Sequence, residues 1–248
     1  MNATRQFTLS FISYLREDWL IRNGVFANRN DEVLTYQGDA LYRSQHKNWI
    51  YYVRSDIAQV NCPPIISDDN GQIPLSNYHI DYLQGTVKFD DYTPVGNVTA
   101  TYAHLYHLVT SSWDLISDSE KTQTPYIIVV NVDRASRPLQ LGGGVWAVLD
   151  VTLQVGEYDS GAYTAQARAE ELADIILAGV SQIPIVDYSQ AFPLTLKGYL
   201  NPDYNLDSQI IGYYTLVDRT QLHYSLPLSS KGYVRRVVKF SVMVPDEG

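Results

Sequence analysis

Hydrophobic residues recur at intervals of three and four in two stretches of the chain, which is the spacing of one face of an α-helix. The first stretch covers residues 4–20, and Asn23-Gly24 follows it with a glycine suited to a helix end. The second covers residues 161–179. Its apolar stripe consists of Ala165, Ala169, Leu172, Ala173, Ile176 and Val180. The pattern predicts two amphipathic helices, and Ser111-Ser112 offers a start for a third, shorter one.

Elsewhere, apolar and polar residues alternate in short runs separated by turn sequences, as in β-strands. Residues 33–106 contain several such runs, among them 48–53 and 97–106. Gln84-Gly85 separates two further runs, 78–82 and 86–89, and predicts a β-hairpin. The later predicted strands are 126–131, 145–155, 194–200, 209–217 and 233–244.

Residues 134–144 interrupt this alternation with Pro138 and three consecutive glycines, which predicts a loop. The order of elements predicts an α+β fold in which helices pack on one face of a mostly antiparallel sheet. A small all-β domain would be inserted into it. We expect residues 1–26 and 109–248 to form the α+β core, and residues 27–108 to form the β-rich insertion.

Charge and composition exclude several classes of protein. The 248 residues carry 18 Lys and Arg against 27 Asp and Glu, a formal net charge of −9. No basic cluster exceeds the pair Arg235-Arg236, which argues against a dedicated nucleic-acid-binding protein. The longest apolar run, 125–130, is far shorter than the ~20 residues of a membrane helix, and we expect no signal peptide. The 20 tyrosines against 6 phenylalanines favour either a protein interface or a strand-rich fold.

Each candidate site for chemistry lacks a necessary part. His104 and His107 would lie on opposite faces of a strand, so they could not chelate one ion. Gly142-Gly143-Gly144 is not followed by the Lys and Ser or Thr of a phosphate-binding loop. Cys62 is the single cysteine, and its neighbours include no charged residue that would activate the thiol. The sequence therefore predicts no enzyme, no cofactor and no metal site.

Several segments, together with the order of the predicted elements, carry a resemblance to a known family. They are Thr124-Pro-Tyr-Ile-Ile-Val-Val130, Arg137-Pro-Leu-Gln-Leu-Gly-Gly-Gly144, Arg168-Ala-Glu-Glu-Leu-Ala-Asp-Ile-Ile176 and Ile183-Pro-Ile185. Over residues 1–20 and 110–248 the chain resembles the tail terminator, or tail completion, proteins of long-tailed bacteriophages. Residues 73–89, in which Asp81-Tyr82 and a turn precede Gly85-Thr-Val87, are similar to a pattern of phage virion proteins.

The resemblance implies a homo-oligomeric ring, usually a hexamer, that caps the tail and joins it to the connector of the head. Its partners would be further copies of itself, the tail tube, the sheath and head-side connector or adaptor proteins. DNA would be passing cargo. The protein would be assembled in the host cytoplasm and would reside in the neck of the virion, with no membrane partner. The alternatives are another head–tail component (an adaptor, stopper or collar protein) and a binding module or enzyme unrelated to phage.

A ring of this kind needs two different surfaces that meet between neighbouring copies. We expect one of them at the tip formed by residues 134–144, with Arg134, Arg137, Gly142 and Gly143. The basic residues would meet carboxylates of the next subunit, namely Glu170, Glu171 or Asp174. The alternative is that all of these charges are ordinary solvated surface groups.

Overall fold

The computed structural model describes residues 2–111, 125–138, 145–158, 162–194, 201–222 and 233–244. The chain divides into two compact units. The first unit contains Met1–Leu15, His107–Asp187 and Ile210–Gly248, and the second contains Arg16–Tyr106 and Tyr188–Gln209. The fold is mixed α+β with mostly antiparallel sheets, as the sequence predicts. A separate inserted domain with the bounds 27–108 stays a prediction.

The two predicted amphipathic helices are confirmed. The α-helices of the described residues are α1 (Ala3–Tyr14), α2 (Leu20–Arg22), α3 (Ala162–Gly179) and α4 (Leu206–Gln209). The Asn2 side chain begins α1 by accepting a hydrogen bond from the Arg5 backbone N–H at 2.8 Å. Between α1 and α2 lies a π-helical stretch, Leu15–Trp19, which the sequence did not predict.

Two four-stranded sheets form the second unit, and their facing sides share one core. Their strands are β1 (Phe26–Val33), β2 (Thr35–Gly38), β3 (Leu41–Arg43), β4 (Ile65–Asp68), β5 (Gly71–Gln72), β6 (Tyr78–Asp81), β7 (Thr86–Phe89) and β8 (Thr99–Leu105). One sheet has the order β1-β8-β4-β5 and the other β2-β3-β7-β6. Ile66 and Tyr102 from the first sheet and Val87 and Phe89 from the second are buried together with Trp49.

A five-stranded sheet with the order β14-β15-β11-β10-β9 forms the centre of the first unit, beside a two-stranded sheet of β12 and β13. The strands are β9 (Leu108–Thr110), β10 (Tyr126–Pro138), β11 (Val145–Tyr158), β12 (Pro184–Val186), β13 (Ile210–Tyr213), β14 (Leu216–Leu222) and β15 (Tyr233–Met243). Among these pairings, β9 with β10 is parallel and the others are antiparallel.

Alternate residues of β15 carry the contacts of this sheet with the helices. Phe240 packs against Phe11 of α1, with ring centroids 5.5 Å apart. Val234 is buried with Ala165 and Ala169 of α3. Because Val234 and Phe240 are an even number of residues apart in an unbroken ladder, their side chains point to the same side of the sheet.

Three predicted boundaries are wrong. Residues 134–138, predicted as loop, continue β10, because pairing with β11 satisfies their backbone groups without a buried face. Residues 48–53 are not a strand; Asn48 has φ of +58°, and Trp49 makes only an isolated bridge to His104. Residues 209–217 divide between β13 and β14, which belong to different sheets. Predicted elements within 112–124 and 195–200 lie outside the described residues.

Candidate functional site

The outer half of β10, from residue 131 onward, exposes polar side chains on both of its faces, although Val148 and Leu149 of the paired strand β11 are buried. Asp133 and Arg134 are consecutive in β10, so they point to opposite faces, and both are exposed. In the inner half, by contrast, Ile127 and Ile128 are fully buried. β10 thus changes along its length from a buried core strand to an exposed stretch. We call residues 131–138 of β10 the arm.

One edge of this arm is open. β9 pairs with β10 only from Tyr126 to Ile128. Over residues 131–138, β10 pairs with β11 alone among the strands that the structure describes. A strand edge with unpaired N–H and C=O groups is a template on which another chain can pair. The arm is therefore suited to contact a neighbouring protein.

The predicted interface residues fall into three groups. Arg134 is exposed in β10, and Arg137 lies in the same strand opposite Trp146. Gly142 and Gly143 lie outside the described residues. On α3, Glu171 and Asp174 are exposed, whereas Glu170 is partly buried and accepts a hydrogen bond from Arg236 of its own chain. A contact between Arg134 or Arg137 and the α3 carboxylates of another copy stays a prediction.

The outer side of α3 carries charge at a spacing of three residues. Arg168, Glu171 and Asp174 are all exposed, and this spacing places them along one side of the helix. Ala165 and Ala169 are buried on the side that faces the sheet. The helix therefore presents two adjacent carboxylates on its exposed side.

A buried glutamate, which the sequence analysis missed, joins three segments of the second unit. Glu17 lies in the π-helical stretch and is only 1% exposed. Its Oε1 accepts a hydrogen bond from the Tyr51 hydroxyl at 2.8 Å, and its Oε2 accepts one from the Tyr204 hydroxyl at 2.7 Å. Burial, and then the charge of Glu17, raise the pKa of both phenols well above the usual value of 10.0.

The neighbouring aspartate adds ion pairs to the same place. Asp18 accepts hydrogen bonds from Arg22 and from Arg54, the latter at 3.0 Å. Arg54 also donates through Nε to Asp207 at 2.7 Å, and Arg22 donates to the exposed Asp56. The sequence did contain a signal for this cluster: two consecutive acidic residues, Glu17 and Asp18, interrupt the apolar stripe between Leu15 and Trp19. Because these groups are paired with one another, we interpret the cluster as structural.

Buried charges also occur in the first unit, where His107 and Glu157 form a pair. His107 Nε2 contacts Glu157 Oε1, and both residues are buried. His104 belongs to the other unit and stacks on His46, with ring centroids 4.3 Å apart. His104 and His107, which the sequence analysis considered as a metal site, thus have separate surroundings. Within the described ranges, no group of three or more His, Cys, Asp or Glu could hold a metal ion.

Comparisons with protein-family models, with curated proteins and with solved structures give no significant match to this chain. Among the helices that the structure describes, none is long and apolar enough to cross a membrane.

Cys62 provides a test of the packing in the second unit. The thiol is partly buried, and burial followed by the charge of Glu17 raises its pKa from 9.0 to about 12. Since the thiolate is the reactive form, we expect iodoacetamide at pH 8 to alkylate the folded protein at least about a hundredfold more slowly than the urea-unfolded protein. Mass spectrometry follows the reaction, with Cys62→Ser as the blank. Equal rates would contradict the described environment of the thiol.

Proposed function

We propose that this protein is a structural component of a long-tailed phage virion, a tail terminator or neck ring. It caps the tail, joins it to the head connector and leaves a central channel through which DNA passes. The single observation that carries the proposal is the outer half of β10, which has one strand edge open among the described strands and exposes side chains such as Asp133 and Arg134. An exposed strand edge of this length is usually covered or paired in a working protein.

A closed ring requires that one surface of each copy meet a different surface of the next. The arm supplies a basic residue, Arg134, and α3 supplies the carboxylates Glu171 and Asp174. These charges are complementary, and they lie on separate elements of the same unit. Head-to-tail contact between the arm of one copy and α3 of the next is consistent with both features.

The remaining properties fit the same function. A net charge of −9 suits a channel through which DNA slides, because an acidic lining does not retain a polyanion. Contacts of Phe240 with α1 and of Val234 with α3 support a core in which the helices cover one face of the sheet. The β-rich second unit would serve as an insertion that contacts the sheath, a collar or another neck protein.

Reversal of one charge on the arm tests the ring contact. We expect Arg134→Glu to weaken each contact between subunits by at least about tenfold, because it places a carboxylate against Glu171 and Asp174. Light scattering coupled to size exclusion should then show a shift from the ring to the single chain. Arg43→Glu, an exposed change of the same kind in β3, is the matched control and should leave the ring intact.

Restoring complementarity gives the sharper outcome. Arg134→Glu combined with Glu171→Arg and Asp174→Arg should assemble again. A ring that is unchanged by Arg134→Glu would exclude this contact. A ring of twelve rather than six copies would favour an adaptor or another connector protein, whereas a monomer with a polar pocket would favour a binding module or enzyme.

A further inference from the structure

Two histidine rings lie face to face in the second unit. His46, in the segment between β3 and β4, stacks on His104 of β8 with a centroid distance of 4.3 Å and an angle of 9° between the rings. His104 is only 5% exposed. Beside this pair, Trp49 stacks on Tyr102 in the same manner, at 3.9 Å. The four rings form a double layer in which only the two histidines can gain a positive charge.

The chain around His46 is held closed by hydrogen bonds to its surroundings, among them one from Leu105 N–H to Asn48 C=O at 3.0 Å and one from Trp49 Nε1 to His46 C=O at 3.0 Å. Ser44 N–H donates to Gly85 C=O at 3.0 Å, and Asn48 N–H donates to Leu83 C=O at 3.1 Å. Gln45 N–H donates to Glu32 Oε1 at 2.8 Å. Asn48 itself has φ of +58°, a left-handed conformation that asparagine adopts more readily than most residues. Residues 44–48 therefore form a short irregular segment that is closed over the histidine pair.

The surroundings favour neutral rings. The Nε2 atom of His104 is buried and has no hydrogen-bond partner among the residues that the structure describes, and Tyr106 packs edge-on against the ring. Burial, then the neighbouring His46, lower the pKa of His104 from 6.5 to about 4. Burial, then Arg29, lower the pKa of His46, although Glu32 opposes the shift from 3.8 Å. A proton on His104 thus meets a buried site, and protons on both rings repel each other across the stack.

We propose that His46 and His104 form an acid-sensitive switch that keeps residues 44–48 closed only while both rings are uncharged. When the segment opens, His104 reaches water and the partly exposed His46 leaves the stack, so both imidazoles bind protons at their ordinary pKa near 6.5. The open form therefore holds more protons than the closed form at every pH between 6.5 and the lowered values. Acidification through this range shifts the equilibrium toward the open form, by up to tenfold per pH unit for each proton bound.

Hydrogen exchange of the full chain measures this opening directly. We expect the protection factors of the Asn48 and Trp49 amides to fall by at least about tenfold between pH 7 and pH 5, after correction for the intrinsic rate at each pH. In His104→Phe, which keeps a flat ring in the stack but cannot bind a proton, most of this decrease should disappear. His79→Gln removes a histidine of β6 outside the stack and should behave as the wild type does.

Two results of the exchange experiment, and one of an NMR experiment, would overturn the switch. The first is equal protection of the wild type at both pH values, and the second is an equally large decrease in His104→Phe. If His104→Phe does not fold, nitrogen-15 NMR of the wild-type imidazoles decides. A His104 ring that is still neutral at pH 5 supports the proposal, and a ring that is already charged at pH 6 overturns it.

Discussion

The Gly85→Ala protein should be less stable than the wild type by about 3 kcal/mol. Gly85 has φ of +63°, and a Cβ at this position would overlap the carbonyl oxygen of His46 and lie 2.7 Å from Ser44 Oγ. The overlap involves backbone, so no side chain can turn aside to relieve it. The loss is to be measured as the change in the free energy of unfolding by urea.

Gly24→Ala separates the two causes of this loss. Gly24 has a similar φ of +72°, but a Cβ there would have no atom within 4 Å. Only the cost of the left-handed backbone remains, about 1 kcal/mol. If both substitutions cost the same, the close approach of the 44–48 segment to the β6–β7 turn is incorrect.

Glu17→Gln should lower the free energy of unfolding by about 3 kcal/mol. The carboxylate accepts hydrogen bonds from two tyrosines, whereas an amide has one oxygen and directs an N–H₂ group at the second hydroxyl. One buried donor is then left without an acceptor. Urea unfolding at pH 7 measures the effect.

A double mutant and an exposed ion pair serve as controls for Glu17. Tyr51→Phe removes one of the two partners, so its cost and that of Glu17→Gln should be less than additive in the double mutant. Asp56→Asn breaks an exposed pair with Arg22 and should cost less than about 1 kcal/mol. Additive costs for Glu17 and Tyr51 would show that the two side chains do not interact in solution.

The parts of the fold that the sequence predicts are those in which local pattern and tertiary contacts agree. The stripe of residues 161–179 gives α3, and the alternation around Gly85 gives the β6–β7 hairpin. In both, the apolar residues of the predicted pattern are buried, as Ala169 of α3 and Val87 of β7 are. The mixed α+β class follows from the order of these elements.

The errors occur where tertiary contacts override the local pattern. The apolar residues of the segment 48–53 predict a buried strand. Trp49 and Ile50 are buried, but they lie in an irregular segment whose backbone N–H groups donate to the C=O groups of Tyr82 and Ala103. The outer half of β10 reads as a loop because both of its faces are exposed, so no alternation reveals its pairing with β11.

The candidate site divides in the same way. Charged residues on an exposed helix face, such as Glu171 and Asp174, can be located from helical spacing alone. The length and the open edge of the arm cannot be predicted from the sequence pattern, because they depend on where β9 and β15 end. Glu17 and the stacked histidines depend on residues far apart in the sequence, and only the folded chain brings these together.

The native mass of the purified protein, with negative-stain images of the same fraction, tests the central proposal most directly. A ring protein gives a mass near six times the 28.1 kDa of one chain and images with a central hole. The charge-reversed Arg134→Glu protein should lose both features. A wild-type protein that stays a monomer at every concentration, with and without isolated phage tails, would contradict the assignment to a tail terminator or neck ring.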